Sequence, residues 1–247
     1  MKLVFAHIGE RSRRFTERPL FVYLRDTTVD PQRRLRFVPW MSHFVMTFAD
    51  LYHFFLPENP PGDRYQELVN IHLSEEGTHW KWFLADLTNL GLDPTLRFTD
   101  ALRFIWSDAT LKTRALAYEM CKLSAGMNSL QKLVMVLAIE ATGRVGLEAA
   151  VPTGVETGTK SGRTLVYFGS HHLDTERQHT VEAKEVHGAL ADLTLTDVTR
   201  AQLCSIVDQV FDRFGDFVDE AFALAQDGTG FVEAIERLRP APAQRAR

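Results

Sequence analysis

The chain has 247 residues, of which 45% are hydrophobic and 24% are charged, with a formal net charge of −4 at pH 7. The apolar content is sufficient for a large core, and the mixed charge excludes a broad basic surface for nucleic acid. The two cysteines cannot build a disulfide framework or an all-cysteine zinc site within one chain, so we expect a cytoplasmic protein.

Nothing in the sequence divides the chain or suggests a membrane segment. No run of about 18 apolar residues occurs, so we expect no transmembrane helix and no membrane partner. Residues 1–15 place their apolar run before their arginines, which is the reverse of a signal peptide. We expect one domain over residues 1–247, with an N-terminal extension over 1–28 and a disordered tail over 240–247.

Helical periodicity dominates the first half of the chain, and strand patterns are scarce. Asp30 followed by Pro31 is typical of a helix start, and the helix that begins there is predicted to end near Leu56, before several prolines. Residues 63–90 are predicted to form one long helix, which Gly91 closes in the C′ position.

The second half is also predicted to be helical. Its helices are expected over residues 99–107, 110–124, 126–150 and 165–190. Residues 151–163 contain a proline and three glycines and are predicted to be a loop. Thr196 and Asp197 can cap a last long helix that ends near Gln226. The whole pattern predicts an all-α bundle of about seven helices.

One eight-residue spacing, His-x3-Glu-x2-His, occurs twice in the predicted helices. Its members are His72, Glu76 and His79, and then His172, Glu176 and His179. At about 100° per residue, the three positions of each copy fall within about 60° of arc on one helix face. Each copy therefore presents two imidazoles and a carboxylate to one point, and such mixed ligation is typical of non-haem iron or manganese.

A further acid, Glu140, lies between the two copies. It shares a predicted helix face with Leu133, Val136 and Leu137, where a carboxylate costs several kcal/mol unless it is paired, protonated or bound to a metal. An ion pair with Arg144 is the alternative interpretation. We interpret Glu140 as a ligand from a third helix, because four histidines and three glutamates are enough for two metal ions.

Two positions have alternative acids. Glu75 also faces inward beside His72 and is an alternative to Glu76. Asp174 lies close to Glu176 and is the alternative acid of the second copy.

Several residues near the second copy are candidates for substrate binding. Arg144, Lys160 and Arg163 can pair with a carboxylate, although solvated surface charge is the alternative for all three. Tyr167, just before the second copy, is a candidate for lining the substrate pocket.

The motif residues together resemble the haem-oxygenase-like di-iron oxidase and oxygenase superfamily. The resemblance covers roughly residues 35–190. It is carried by Asn-Ile-His at 70–72, Glu-Gly-Thr-His at 76–79, the lone Glu140, and Tyr-Phe-Gly-Ser at 167–170, which leads into the second copy. The family usually has Asp at the position of Glu176 and often has Glu at the position of His72.

The resemblance implies a haem-oxygenase-like fold that binds two Fe2+ ions and uses O2 as co-substrate. It implies a small-molecule substrate from among amino acids, amines and fatty acids, with an amino acid or amine favoured. The implied outcomes include N-oxygenation, oxidative C–C cleavage, and nitrile or alkene formation. No catalytic residue is expected beyond the metal ligands. An external electron donor and a homodimer are further expectations.

Two other functions are consistent with the sequence. A ferritin-like di-iron protein needs another carboxylate from an early helix, and Asp50 is the candidate. A metal-free helical interaction or regulatory module of the same fold needs none of the histidines.

Overall fold

The computed structural model describes residues 1–176, 188 and 190–239. Every regular element in this part of the chain is a helix and none is a strand, which confirms the all-α prediction. The helices in this part of the chain are more numerous than the seven expected, because several predicted helices are divided.

The first half contains six α-helices, one 3₁₀-helix and one π-helix. In chain order they are α1 (Lys2–Phe15), α2 (Pro19–Arg25), α3 (Pro31–Arg34), the 3₁₀-helix (Val38–Met41), α4 (Ser42–Asp50), the π-helix (Leu51–Phe55), α5 (Arg64–Glu76) and α6 (Trp80–Asn89). Asp30 caps α3 as predicted, since its carboxylate accepts from the backbone N–H groups of Gln32 and Arg33. The single helix predicted from here to Leu56 is wrong, and its 3₁₀ interruption contains Pro39, which has no N–H for an α-helical bond.

The second half is built around one very long helix. Its elements are α7 (Phe98–Ile105), a 3₁₀-helix (Asp108–Thr110), α8 (Leu111–Ser124), α9 (Ser129–Ser161), α10 (residues 170–176), α11 (Asp197–Gln226) and α12 (Phe231–Arg237). Thr196 caps α11, as predicted, by accepting from the N–H of Thr199.

The helix predicted over residues 63–90 is interrupted in the structure. Asp63 caps α5, and Gly91 has the left-handed φ of 72° expected at the end of α6. Between the two helices, residues 77–79 form a turn. The prediction of one helix is therefore wrong at this point, where Gly77 lowers the helix propensity. His79 consequently lies on a corner rather than on the face that carries His72.

The loop predicted over residues 151–163 is also wrong, because α9 continues through Pro152 to Ser161. Gly162, with a φ of 70°, ends the helix. Gly154 is buried against the backbone that follows the helix, and a Cβ added to it would lie 1.9 Å from the carbonyl oxygen of Phe168. The glycines therefore allow close packing, whereas the sequence pattern resembles that of a loop.

α9 is the central helix of the fold, and α1, α2, α3, α5 and α11 all pack against it. Residues 1–28, expected to be an extension, contribute buried side chains to the core. Val4, Phe15, Leu20 and Leu24 are among them. No helix in the described ranges combines the length and the apolar character needed to cross a membrane.

Three polar contacts fix α9 against its neighbours. Arg34 is buried and donates to the Thr153 hydroxyl at 2.9 Å and to the Glu156 carboxylate, which ties α3 to α9. At the other end of α9, the hydroxyl of Ser129 donates to the carboxylate of Asp63. The N-termini of α5 and α9 are therefore joined.

Candidate metal centre

α5 and α9 bring together a first group of three possible ligands, which we call the first triad: His72, Glu76 and Glu140. One donor atom from each residue lies within 4.8 Å of the others. His72 Nε2 and Glu140 Oε1 are 3.0 Å apart. Glu140 therefore faces α5, and Arg144 is exposed.

The corner between α5 and α6 and the helix α10 supply a second triad, formed by His79, His172 and Glu176. Its donor atoms also lie within 4.8 Å of one another. Glu176 Oε1 is 3.1 Å from His172 Nε2 and 3.6 Å from His79 Nδ1. Each triad thus combines histidine and carboxylate ligands, as in many non-haem iron and manganese sites.

Glu76 lies between the two triads and is close to residues of both. Its Oε2 atom is 3.1 Å from Nδ1 of His79, although its own triad includes His72 and Glu140. A carboxylate in this position can contact one ion through each oxygen. If two ions were bound, Glu76 would therefore be the residue placed to hold both.

The electrostatics of the two triads favour bound cations. The side chains of Glu76, Glu140 and Glu176 are only 10%, 16% and 11% exposed. Burial raises the pKa of Glu140, and the nearby Glu76 and Glu176 raise it further, whereas His72 opposes this shift. Three carboxylates this close together are costly in a dry site, and divalent cations neutralise them.

Backbone and aromatic contacts orient two of the histidines. Nδ1 of His172 donates to the carbonyl oxygen of Tyr167 at 2.9 Å, because a carbonyl only accepts. Nε2 of the same ring faces Glu176 and is the nitrogen that could bind a metal. His79 stacks on Trp82, with ring centroids 4.3 Å apart and an interplanar angle of 17°.

Asp86 holds the backbone that carries this carbonyl. It is fully buried on α6, and its two carboxylate oxygens accept from the N–H groups of Val166 and Phe168 at 2.7 and 2.8 Å. Burial raises the pKa of Asp86, and these hydrogen bonds oppose the shift. Sequence analysis missed Asp86, although an acid on the same helix face as Phe83 was a possible signal.

A cavity of ≈170 Å³ adjoins the triads. Five of the six triad residues line it, and most of its remaining walls are apolar. These walls include Phe15, Leu20, Phe44, Phe48, Phe214 and Phe217. Tyr52 and Tyr167 also line it, and burial together with the nearby carboxylates raises the pKa of both phenols, so that both stay neutral hydrogen-bond donors.

The other predicted substrate-binding residues lie away from this cavity. Arg163 is exposed and donates to the carbonyl oxygens of Thr88 and Asn89 at 3.2 and 3.1 Å. Lys160 is exposed and pairs with Glu156 at 3.1 Å. Arg144 is exposed as well, and of the predicted substrate-binding residues Tyr167 alone is among the described residues that line the cavity.

The alternative acids lie outside both triads. Glu75 is half-buried beside Glu76, and Asp174 and Asp50 are exposed. His179, the last member of the second sequence motif, lies outside the described residues. Its role as a ligand stays a prediction.

A search of protein-family models found no match to the chain, and a search of curated proteins found none either. The resemblance to the haem-oxygenase-like di-iron enzymes therefore stays a prediction that rests on the motif residues.

Proposed function

We propose that the chain binds two iron ions in the two triads and acts as an O2-dependent oxidase or oxygenase with a haem-oxygenase-like fold. The observation that carries the proposal is the convergence of six histidine and glutamate side chains into two adjacent triads. They come from three separate stretches of the chain, and nothing in core packing requires such a cluster.

The donor set is one that non-haem iron and manganese share, and iron is the ion that the proposed O2 chemistry uses. Structural zinc sites prefer cysteine and close with four protein ligands, and magnesium and calcium prefer oxygen ligands throughout. Here each triad mixes imidazole with carboxylate, and the three carboxylates offset three of the four positive charges of two divalent ions. When bound, ferrous ions supply the electrons that reduce O2.

The surrounding residues position the ligands and control access to them. Tyr167 sets the tautomer of His172 through its carbonyl group, and Trp82 limits the rotation of the His79 ring. The apolar walls of the cavity keep water away from the ligands, which protects a reactive oxidant from side reactions. Tyr52 and Tyr167 are neutral donors beside the carboxylates.

Metal content and O2 consumption test the proposal directly. The full chain is loaded with Fe2+ without oxygen, freed of excess metal, and analysed for iron before O2 is admitted. We expect two irons per chain and rapid O2 uptake. A chain that retains only traces of iron, or that retains iron without consuming O2, contradicts the proposal.

Iron analysis of one variant and a stability measurement separate the two rival functions. A ferritin-like protein would lose iron on Asp50→Ala, whereas we expect no change because Asp50 is exposed and outside both triads. A metal-free module would keep its thermal stability when a chelator is added. The iron-loaded protein is expected to lose stability under the same treatment.

A further inference from the structure

We propose that the surface formed by α7 and α8 binds an anionic lipid membrane without crossing it. The inference goes beyond the proposed function and does not rest on it. It differs from the sequence-based expectation of no membrane partner, which followed from the lack of a transmembrane segment. Binding at a membrane surface requires only an exposed apolar face with basic residues beside it, and no spanning helix.

The apolar and charged sides of α7 are arranged opposite to those of an ordinary surface helix. Phe98, Leu102 and Trp106 follow one another at intervals of four residues and are 77%, 40% and 60% exposed. At about 100° per residue they share one face of α7, which we call the outer face. Asp100 and Phe104, by contrast, are buried. A surface helix normally buries its apolar residues and exposes its charged residues. The outer face is therefore an exposed apolar surface of the kind that marks an interaction site.

The exposed apolar surface continues from α7 onto α8. Leu111 and Tyr118 are both exposed and lie seven residues apart, on one face of α8. The rings of Trp106 and Tyr118 both contact the buried ring of His43, with centroid separations of 5.7 and 6.0 Å. This shared contact holds Tyr118 close to the outer face. Tryptophan and tyrosine are the aromatic residues enriched where proteins meet the headgroup layer of a membrane.

Basic side chains flank the outer face along the chain. Residues 97–122 contain five lysines or arginines and three acids, so this segment has a net charge of +2 in a chain whose net charge is −4. One of these acids, Asp100, is buried and accepts from Arg97 at 3.0 Å and from Arg103 at 2.9 Å. Both arginines are exposed, and each guanidinium has further N–H groups that can donate to a phosphate. The local charge therefore complements that of anionic headgroups.

Two other occupants, both supplied by the protein itself, fit the outer face less well. A second copy related by a twofold axis would set the cationic surface against the same surface of its partner, which is repulsive. The segment 240–247 follows Arg239, which donates to Asp100 at 2.9 Å. This segment contains no large apolar residue and two further arginines, so its composition complements neither the apolar side chains nor the positive charge. An anionic membrane complements both.

Vesicle flotation of the full chain tests the inference. Vesicles of phosphatidylcholine alone are compared with vesicles of phosphatidylcholine and phosphatidylglycerol in equal amounts. We expect the chain to bind the anionic vesicles at least about fivefold more tightly than the neutral vesicles. This preference should fall as salt is added, because salt screens exposed charges. A chain that binds neither kind of vesicle, or both kinds equally, would overturn the inference.

Phe98→Ser is the informative variant, because it removes an exposed ring and leaves the buried side of α7 unchanged. We expect an unaltered midpoint of urea unfolding and about tenfold weaker binding to the anionic vesicles. Val198→Ser is the matched control, because Val198 is also an exposed apolar residue in the first turn of its helix, but on α11. This control should bind as the unmodified chain does. Equal binding by the two variants would contradict the role of the outer face.

Arg103→Gln tests the contribution of charge. Asp100 keeps Arg97 and Arg239 as partners in this variant, so we expect the fold to persist and binding to anionic vesicles to weaken about fivefold. Arg13→Gln is the control, because Arg13 is an exposed arginine on α1. If both variants bound as tightly as the unmodified chain, headgroup recognition by this surface would be wrong.

Fluorescence identifies the face that meets the membrane. The chain has four tryptophans, of which Trp106 alone is exposed. Brominated lipid tails quench a tryptophan that enters the apolar layer. We expect quenching with the unmodified chain and its loss in Trp106→Phe. Quenching that persists in this variant would show that another surface binds the lipid, and would overturn the inference.

The same samples show whether a second copy covers the outer face instead. A chain that dimerises without binding vesicles, and that becomes monomeric on Phe98→Ser, would overturn the inference in favour of self-association. Iron content is measured separately. Vesicle binding by a chain that retains no iron would overturn only the proposed function, and iron uptake without vesicle binding would overturn only this inference.

Discussion

Nδ1 of His172 lies 2.9 Å from the carbonyl oxygen of Tyr167, five residues earlier in the chain. The backbone of a loop thus orients the imidazole of His172 in the second triad. Asp86 on α6 holds that loop through two further hydrogen bonds. A residue outside both triads therefore controls the position of a triad histidine.

Asp86→Asn should weaken metal binding without removing a ligand. The amide oxygen of asparagine can still accept from one backbone N–H, but its NH2 group is a donor and cannot accept from the other. The loop and the Tyr167 carbonyl are therefore expected to lose their fixed position. Changes of this kind typically reduce metal affinity about 10- to 100-fold. Competition with a chelating dye measures the effect. Asp93→Asn, at an exposed site just after α6, is the control, and equal affinities for the two variants would contradict the role of Asp86.

Glu76→Gln should impair both triads at once, because Glu76 is a member of the first triad and lies 3.1 Å from His79 of the second. We expect less than one iron per chain after anaerobic loading. The adjacent Glu75→Gln has the same chemical change on the same helix, but Glu75 belongs to neither triad. Iron analysis of the two variants distinguishes the alternative acids, and a loss confined to Glu75→Gln would reverse the assignment.

Glu140→Gln should have opposite effects on the metal-free and the metal-loaded protein. In the metal-free state it removes one of three neighbouring buried carboxylates, so the midpoint of urea unfolding should rise. In the loaded state it removes a ligand, so the stabilisation by iron should fall. Glu148→Gln, at an exposed position on α9, should change neither midpoint. A lower midpoint for the metal-free Glu140→Gln variant would contradict this expectation. It would show that the contact between Glu140 and His72 stabilises the fold by more than the repulsion among the three carboxylates destabilises it.

Gly154→Ala should destabilise the fold although alanine is the better helix former. The new methyl group would lie 1.9 Å from the carbonyl oxygen of Phe168, so α9 or the loop must shift, at a cost of about 1–3 kcal/mol. Gly143→Ala on the same helix meets no atom within 4 Å and should stabilise by up to about 1 kcal/mol. Urea unfolding of both variants tests this contrast. If the two unfolding midpoints shifted in the same direction, the prediction would be wrong.

The sequence was informative about residue type and poor about local breaks. Glu140 could be assigned to the interior because its helical neighbours are apolar, and the structure places it beside His72. The interruption at residues 77–79 was not predicted, because helical periodicity continues across it and a single glycine, here Gly77, is tolerated within a helix. Packing between distant segments also escapes prediction. The glycines of α9 give a sequence pattern typical of a loop, and only the contact between Gly154 and the backbone of Phe168 shows that they serve close packing. Asp86 likewise has a role only because it accepts from an N–H group 80 residues later in the chain.

The hydrogen bond between Ser129 and Asp63 has a consequence for how ligands are aligned. It gives α5 and α9 a common starting level, from which both helices advance by about 1.5 Å per residue. His72 is nine residues from one end of that bond and Glu140 is eleven from the other, so the two side chains reach nearly the same height. Inserting one residue before either ligand would turn it by about 100° away from its partner. The number of residues between each helix N-terminus and its triad residue therefore sets the relative position of His72 and Glu140. A change in that number would disrupt the first triad even if every side chain of the triad were kept.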